Sequence, residues 1–373
     1  MLWVFACIFV VYFVTISIFI FTWAFTPSHP LLSDVKTTLT VIVVFRNESK
    51  NLPLLLSDLE NQTLDKNLWE VIFIDDFSED DSLQILDTTL KHSSICATIL
   101  KNHVFPEILS PKKRGISQAL TQAKGELVVC TDADCRLLPT WLQGIASFYE
   151  KTQAYFISSP VKFSPLGSLF QKIQGLEFSS LIGSGAACIG LQMPTMCNGA
   201  NIAYKKTVFQ ELEGFKGSEN IISGDDEFLM HKFAKKYPQK VKFNKSQDVV
   251  VSTMPHSNWK SFFEQRKRWA SKWENYQNYA PKILATFIFL INFLSTILYI
   301  STFLEPNKII WILIGLKFCI EFVFLAWILY SLKQIRLLWW IPFLFMVYPF
   351  YVVMFALISR KKNYIWKGRK HAV

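Results

Sequence analysis

Two long apolar blocks enclose a mostly polar segment, and this arrangement constrains the fold more than any other feature of the chain. Residues Leu2 to Phe25 carry no charge, and roughly 20 apolar residues in a helix cross the hydrocarbon core of a bilayer. The second block divides into the apolar segments Ile283–Leu304, Ile309–Tyr330 and Leu337–Ser359. The sequence therefore predicts a transmembrane anchor at residues 1–25 and a membrane region of two or three segments at residues 282–359.

A cleaved signal peptide is the other interpretation of the first apolar block. Such a peptide has a basic start, a shorter apolar run and a small-residue cleavage site. The sequence of residues 1–25 has none of these features, so a retained anchor is favoured.

The net charge of +10 at pH 7 raises the question of nucleic-acid binding. No stacking motif or zinc pattern accompanies the charge, which argues against a nucleic-acid partner. Six basic residues instead crowd residues 360–373, and basic residues beside membrane spans mark the cytoplasmic side and meet anionic lipids. We therefore predict a basic cytoplasmic tail. The seven cysteines show no paired spacing, which indicates a reducing compartment and no disulfide framework.

The polar segment alternates short apolar runs with helical patterns. Four strands are predicted at Thr40–Phe45, Val71–Ile74, Ala97–Leu100 and Leu127–Cys130. This alternation predicts an α/β domain with a mostly parallel sheet covered by helices. Ligands of such sheets lie beyond the carboxyl ends of the strands. Glu48, Asp76, Asp132 and Asp134 all follow strands directly, so we expect them in one site.

Asp132 and Asp134 form an Asp-x-Asp pair at the end of the fourth strand. Carboxylates repel a nucleotide diphosphate, but they can hold a divalent cation that binds it and stabilises it as it departs. We predict that Asp134 and Asp132 bind Mg²⁺ or Mn²⁺. The pair occurs by chance in many surface loops, and its position after a strand is what favours a site.

Two further acidic segments have both structural and functional interpretations. In Asp75–Ser82, Ser78 or Asp80 could cap a following helix, and Asp76 could bind the base of a nucleotide. In Ser223–Glu227, the acids could simply favour a helix N-terminus. Alternatively, one of them is a general base that takes the proton of an attacking hydroxyl.

Residues 257–280 contain an amphipathic pattern. Apolar residues and Arg266 recur at helical spacing between Trp259 and Trp273, with basic residues on the other side. One interpretation is only a membrane-surface helix with extended Lys and Arg side chains. The other has Arg268 paired with a diphosphate and Trp269 forming the floor of an acceptor site.

The order of these motifs, from Asp76 through Asp132/Asp134 and Asp226 to Gln265–Trp269, resembles the membrane-bound branch of the family-two glycosyltransferases. Cellulose, chitin and hyaluronan synthases and ceramide glucosyltransferases belong to this branch. The resemblance covers residues 38 to about 275 and implies a GT-A fold, placed here at residues 38–256. It also implies inverting transfer of a sugar, usually from a UDP-sugar with Mg²⁺ or Mn²⁺. The chain is much shorter than a cellulose synthase, which favours a lipid-linked or short glycan acceptor over a polymer channel.

The resemblance also implies roles for individual residues. Glu48 in Phe45–Glu48 and Asp76 would contact the nucleoside, and Lys113 in Pro111–Ile116 would contact the nucleotide. Asp132 would bind the sugar nucleotide as well as the metal. Asp226 matches the family base, with Asp225 as the alternative. Asn198–Asn201, including Asn201, resembles the loop beside the acceptor, and Gln265, Arg268 and Trp269 match the Gln-x-x-Arg-Trp signature.

Membrane topology is the point at which these expectations conflict. Sugar nucleotides are cytoplasmic, so the GT-A domain is predicted on the cytoplasmic face of the cell (inner) membrane. Three full spans after that domain would place the basic tail outside, against the charge rule. We therefore expect one segment not to cross, and Pro342 and Pro349 suit a bent Leu337–Ser359. Lys317 and Glu321, four residues apart, are predicted to pair within the membrane.

Two other functions are compatible with parts of this pattern. One is an inactive membrane scaffold that binds sugar nucleotides, and the retained acids argue against it. The other is a transporter-associated subunit, and the small number of spans argues against that.

Overall fold

A computed structural model describes residues 2–103, 110–304, 307–358, 363–366 and 369–372. Its α-helices are α1 (Leu2–Phe25), α2 (Leu52–Glu60), α3 (Ser82–Leu90), α4 (Pro111–Gln122), α5 (Trp141–Thr152), α6 (Leu169–Gly190), α7 (Lys206–Glu211), α8 (Asp225–Lys236), α9 (Trp259–Ala270), α10 (Tyr279–Leu304), α11 (Lys308–Ser331) and α12 (Ile341–Ile358). Its strands are β1 (Leu39–Phe45), β2 (Trp69–Asp75), β3 (Ala97–Lys101), β4 (Leu127–Asp132), β5 (Phe156–Ser158), β6 (Val161–Phe163), β7 (Ile202–Lys205), β8 (Val241–Phe243), β9 (Val251–Thr253), β10 (Asn363–Trp366) and β11 (Arg369–Ala372).

The chain divides into two compact units. The sheet unit comprises Thr26–Pro165 and Gln192–Met254, and the helical unit comprises Met1–Phe25, Leu166–Leu191 and Pro255–Val373.

The sheet unit is built on a seven-stranded sheet in the order β3-β2-β1-β4-β7-β5-β8. Strands β1 to β4 are parallel, as their continuous apolar runs predicted, because strands buried on both faces lack polar alternation. Strand β7 runs antiparallel to both β4 and β5, a departure that the sequence did not indicate. Strands β6 and β9 form a separate parallel pair. The mostly parallel α/β architecture is confirmed.

Among the residues that the structure describes, the helical unit contains four helices that are long and apolar enough to cross a membrane. They lie at Ala6–Phe25, Tyr279–Thr302, Lys308–Ser331 and Ile335–Leu357. One candidate span at the N-terminus and three near the C-terminus agree with the predicted blocks. Pro349 lies inside α12 without ending it. The prediction that one segment does not cross stays a prediction, and Arg360, Lys361, Lys362 and Lys367 of the basic tail lie outside the described residues.

Helix α6 belongs to the helical unit, although the predicted limits of 38–256 placed it within the GT-A domain. Its Gly183 lies so close to α11 that an added Cβ would approach Ile328 Cδ1 to 2.3 Å. Leu176 of α6 packs in a buried cluster with Leu329 and Ile341. Gly183 therefore allows α6 to approach α11 closely. The sequence did not predict this contact, because α6 has no apolar periodicity.

The predicted pair between Lys317 and Glu321 is confirmed within the helical unit. Lys317 Nζ lies 2.6 Å from Glu321 Oε1, and the hydroxyl of Tyr12 in α1 donates to the same oxygen at 2.5 Å. Lys317 is buried, and a buried charge is costly unless it is paired. The three side chains therefore satisfy one another and join α1 to α11.

Candidate active site

The four parallel strands bring the predicted site residues to one edge of the sheet. In the strand register, Asp75 is the partner of both Phe45 and Lys101, and Asp132 is the partner of Val44. The carboxyl ends of the four strands are therefore level with one another.

Asp76 lies at this edge in a buried polar cluster. Asn102 Nδ2 donates to Asp76 Oδ1 at 2.8 Å, and Arg114 Nη2 lies 3.8 Å from the same oxygen. Arg46 Nη1 donates to the backbone oxygens of Asp76 and Phe77. Asn102 Oδ1 is buried without a hydrogen-bond partner among the described residues. A buried acceptor left unpaired is unfavourable, so this cluster is suited to receive an N–H group from a ligand.

Glu48 is buried beside the same edge. Its Oε2 accepts from Asn51 Nδ2 at 2.6 Å, and its backbone N–H donates to Ser82 Oγ at 2.7 Å. These bonds fix the loop after β1 and the start of α3 together. Asp80, one of the two predicted candidates for a helix cap, accepts from the Ser82 N–H and hydroxyl.

Lys112 forms the centre of a second cluster at the end of β4. Its Nζ donates to Asp132 Oδ1 at 2.7 Å and lies 3.4 Å from Asp225 Oδ2. Burial lowers the pKa of Lys112, but Asp132, Asp225 and Asp226 outweigh that effect, so the pKa lies well above its usual value. Lys112 therefore carries a positive charge that neutralises part of the acidic cluster.

Asp226 contacts the loop that contains Asn198–Asn201. Its Oδ2 accepts from the backbone N–H of Gly199 at 2.6 Å, and its Oδ1 accepts from the N–H of Glu227 at 2.8 Å. An added Cβ on Gly199 would lie 3.3 Å from both Asp226 Oδ2 and Lys112 Nζ. Gly224, the N-cap residue that precedes α8, has a φ of +80°, a conformation that favours glycine. The loop therefore approaches the charged cluster closely at a residue without a side chain.

The hydrogen bonds described for Lys113 go to backbone oxygens. Lys113 is fully buried, and its Nζ donates to the backbone oxygens of Ser218 and Ile221 at 2.6 and 2.8 Å. The basic residue at the site is its neighbour Lys112. Lys112 and Lys113 are adjacent in α4 and therefore point in different directions. Ile116 lies at helical spacing from both, so the spacing does not show which lysine faces the site.

Asn201, for which a substrate-binding role is predicted, lies in the interior of the sheet unit. It is fully buried, its Nδ2 donates to the backbone oxygens of Pro160 and Val249, and its Oδ1 accepts from Trp141 Nε1. Both groups of the amide are therefore used to hold the strands and α5 in place. In the same loop it is Gly199, rather than Asn201, that reaches the charged cluster.

Two family profiles match the chain. The profile of Glycosyl transferase family 2 matches residues 40–213, and that of Glycosyl transferase family group 2 matches residues 127–356, which is more than half of the chain. The protein belongs to glycosyl transferase family group 2. It is a glycosyltransferase, as the ordered motifs predicted.

Curated relatives of this glycosyltransferase are undecaprenyl-phosphate 4-deoxy-4-formamido-L-arabinose transferases of Pectobacterium atrosepticum and Pectobacterium carotovorum. Each is 26% identical over 156 residues, which is 41% of this chain and 45% of the relative. The chain thus spans less than half of the length of these relatives.

A solved structure with a similar fold is the mannosyltransferase PcManGT from Pyrobaculum calidifontis in complex with GDP-Man and Mn²⁺. It is 15% identical, the TM-score is 0.56, and the match covers 92% of this chain and 96% of that one. This likeness is one of fold, and the predicted GT-A fold is confirmed.

The glycosyltransferase has suitable donors for a divalent ion at the end of β4. Within the described ranges, no group of three or more His, Cys, Asp and Glu side chains is arranged to hold a metal. Mg²⁺ at nucleotide sites, however, is usually bound by one or two carboxylates together with phosphates and water. Asp134 is exposed and Asp132 is partly exposed, and a cationic group, the Lys112 ammonium, already lies against Asp132. The predicted pair Asp132 and Asp134 therefore fits Mg²⁺ or Mn²⁺.

Gln265, Arg268 and Trp269 lie on α9 in the helical unit. All three are partly exposed. Their backbone is fixed by Asn258, whose side chain accepts from the N–H of Ser261 at the start of the helix. An α-helix thus lies within the predicted segment 257–280. Its interfacial character and the ligand roles of the three residues stay predictions.

Five residues of the candidate site were not singled out from the sequence: Lys112, Arg46, Asn102, Arg114 and Gly199. Asn102 follows β3 directly, so the strand-end rule that located Asp76 also applies to it. Arg114 and Arg46 carried no comparable signal, because their partners at Asp76 and Phe77 are distant in sequence.

His256 lies beside the signature residues of α9, and its titration predicts an acid-sensitive fold. Burial lowers the pKa of His256, its hydrogen bond with Gln265 raises it, and Arg266 and Arg268 lower it, with a net decrease from 6.5. The folded state therefore binds the proton less readily than the unfolded state, so stability falls as the pH drops below about 6.5. We expect His256→Gln to reduce the loss of thermal stability between pH 7.5 and pH 5.5.

The measurement is the unfolding midpoint of the wild type and of His256→Gln at both pH values. Exposed His92 provides the control, because His92→Gln should leave the pH-dependent difference unchanged. An equal fall in midpoint for the wild type and His256→Gln would contradict the assignment.

Proposed function

We propose that this glycosyltransferase transfers a sugar from a nucleotide-sugar, specifically a UDP-sugar, to a hydroxyl of a lipid-linked or glycan acceptor. The observation that supports this most directly is the cluster of Lys112, Asp132, Asp225 and Asp226 at the carboxyl end of β4. It combines one cation with several carboxylates. The buried cluster around Asp76, which we propose binds the nucleoside, lies at the same edge of the sheet. Together they can bind a nucleotide diphosphate and accept a proton.

The donor is bound through its charge and its base. Lys112 Nζ would donate to the diphosphate, because charge-assisted hydrogen bonds to phosphate are strong. Asp76 and Asn102 would bind the base. An N–H group of the base would donate to Asn102 Oδ1, which has no hydrogen-bond partner among the described residues. Glu48 shapes the same edge. Asp132 and Asp134 would hold Mg²⁺ or Mn²⁺, which when bound supplies positive charge to the departing diphosphate.

The acceptor is activated by Asp226. The acceptor oxygen forms a bond to the anomeric carbon, the bond from that carbon to the diphosphate oxygen breaks, and the hydroxyl proton passes to the Asp226 carboxylate. A single displacement of this kind inverts the anomeric centre. The N–H groups of Gly199 and Glu227 hold the carboxylate in one orientation during the transfer. Asp225, which faces Lys112, is the alternative base.

A phosphate group is the second candidate acceptor, because the curated relatives are named for undecaprenyl phosphate. A phosphate monoester has a second pKa near 6 and is already ionised at neutral pH. It therefore needs no base to remove a proton, which makes the two acceptor classes experimentally distinguishable.

The four apolar helices support an enzyme that takes its acceptor from the bilayer. We place the sheet unit on the cytoplasmic face of the inner membrane, where sugar nucleotides are found, and the basic tail beside anionic lipid. Gln265, Arg268 and Trp269 would contact the diphosphate and the acceptor, as their signature implies.

Release of nucleotide from a panel of donors tests this proposal. We expect purified enzyme in lipid nanodiscs to release UDP from one UDP-sugar, and to release it faster when a lipid-linked acceptor is present. EDTA should abolish release, and Mn²⁺ or Mg²⁺ should restore it. GDP-mannose in the panel checks the base preference.

Asp134→Asn is the matched variant for this experiment, and Asp87→Asn is its control, since Asp87 forms only an exposed pair with Lys91. Release should be lost in the first and kept in the second. If the protein binds a nucleotide-sugar but releases no nucleotide from any member of the panel, the proposal is contradicted. That result would instead indicate an inactive scaffold that binds sugar nucleotides.

A further inference from the structure

The described segment Gln265–Trp269 contains three basic residues, Arg266, Lys267 and Arg268. Of these, Arg266 alone is buried. Its Nη2 donates to Glu177 Oε2 of α6 at 2.5 Å, and its Nε donates to the hydroxyl of Tyr351 in α12 at 3.2 Å. The Tyr351 hydroxyl donates in turn to Glu177 Oε1 at 2.8 Å. The guanidinium is therefore fixed from two other helices of the helical unit.

The same guanidinium contacts two members of the signature. Arg266 Nη1 donates to Gln265 Oε1 at 3.0 Å, and Arg266 Cζ lies 4.3 Å from the centre of the Trp269 ring. Phe178 of α6 stacks on Trp269 with ring centres 6.4 Å apart. The indole is thus packed between an aromatic ring of α6 and a cation that α6 itself holds.

We propose that Arg266 is a positioning residue. Because Glu177 and Tyr351 fix its guanidinium, Arg266 holds the side chains of Gln265 and Trp269 in place. The inference rests on the proposed function in taking those two residues as acceptor contacts. Arg266 has no assigned role in the signature, in which it occupies a variable position.

The geometry requires arginine rather than any cation. A planar guanidinium donates in several directions within its plane while its face stacks on an aromatic ring, and a lysine ammonium does neither. In Arg266 the in-plane donors bind Glu177, Tyr351 and Gln265, and the face covers Trp269. Lysine could keep the ion pair with Glu177 but would release Gln265 and Trp269.

A purely structural role for the ion pair makes a different prediction. Replacing a buried ion pair by apolar residues of similar volume is often neutral or stabilising, whereas removing one partner leaves a costly unpaired charge. The double variant Glu177→Leu/Arg266→Met therefore keeps the fold without the guanidinium. If Arg266 only stabilises the fold, this double variant should transfer sugar as the wild type does.

We expect Arg266→Lys and the double variant both to be folded and both to lose acceptor efficiency. Misplacement of a substrate-positioning group by about 1 Å can cost about a hundredfold in rate, so kcat/KM for the acceptor should fall by about that factor, with a higher acceptor KM. The Kd for UDP should be unchanged. Lys267→Gln, which removes only a local pair with Glu264, is the matched control and should behave as the wild type.

A spectroscopic measurement tests the positioning without any turnover. The 12 tryptophans are labelled as 5-fluorotryptophan, and Trp269→Phe identifies the ¹⁹F resonance of Trp269. Arg266→Lys and the double variant should shift that resonance, and Lys267→Gln should leave it in place.

The outcomes separate the inference from the function on which it rests. An unshifted Trp269 resonance in Arg266→Lys, or full acceptor efficiency in the double variant, would overturn the positioning role. A wild type without transfer would instead contradict the proposed function, while a shifted resonance would still support the positioning of Trp269.

Discussion

Asp226→Asn should leave a folded protein that binds UDP but has lost transfer to a hydroxyl acceptor. The amide cannot take the proton of the attacking hydroxyl, and positioned acid–base groups contribute about 10²- to 10⁴-fold to rate. We expect kcat to fall within that range while the Kd for UDP is unchanged, because Lys112, Asp132 and the Asp76 cluster are untouched.

The hydrogen bonds of Asp226 set a structural cost for this substitution. Its two oxygens accept from Gly199 and Glu227, and an asparagine has only one oxygen for these two N–H groups. A buried donor left unsatisfied costs about 1–3 kcal/mol, so a lower unfolding midpoint should accompany the loss of transfer. UDP affinity therefore has to be measured with the rate, since a collapsed loop would lower both.

Two comparisons decide the assignment of the base. Asp225→Asn tests the alternative carboxylate, and exposed Asp87→Asn controls for removal of a negative charge in the same unit. Full turnover of Asp226→Asn with a hydroxyl acceptor would refute the role of Asp226. If loss occurs with a hydroxyl acceptor but not with a lipid phosphate, Asp226 is the base and the phosphate acts as an acceptor that needs none.

The part of the fold that local sequence determines was predicted well. Strands β1, β2 and β4 are buried along almost their whole length, so each appears as an apolar run whose end is marked by a polar residue, whereas β3 is partly exposed. Strands β5, β6, β8 and β9 have three residues each, too few for any periodicity. The antiparallel β7 is defined by its partners at both edges, which are distant in sequence.

The candidate site was predictable as a location and less so as a set of side chains. The strand-end rule located Asp76, Asp132 and Asp134, because it depends only on where an apolar run stops. It could not distinguish Lys112 from Lys113, because the two lysines are adjacent at the start of α4 and Ile116 lies at helical spacing from both. The ion pair of Arg266 with Glu177 joins residues 89 positions apart in sequence on two helices, so only the packing of those helices reveals it.

Lys112→Met should affect the binding of the nucleotide and of the metal in opposite directions. Lys112 Nζ lies 2.7 Å from Asp132 and 3.4 Å from Asp225, where it offsets the mutual repulsion of the carboxylates. Removing it takes away a charge-assisted donor to the diphosphate, worth about 1.5–3 kcal/mol, so the Kd for UDP should rise about 10- to 100-fold. Mn²⁺ alone should bind more tightly, because no ammonium competes for Asp132.

Calorimetric titration of the wild type and of Lys112→Met with Mn²⁺ alone, and then with UDP in the presence of Mn²⁺, measures both effects. Lys124→Met is the control, as an exposed lysine two residues after the end of the same helix. The pKa of Lys112 is raised, so the stabilisation of the folded state by its charge persists through neutral pH and is lost only well above 10.5. A titration at pH 7 to 8 therefore compares a wild type in which residue 112 is fully charged with a variant in which it is neutral. Equal Mn²⁺ affinity in the two proteins would show that Asp132 is not a metal ligand, while unchanged UDP affinity would remove Lys112 from the diphosphate site.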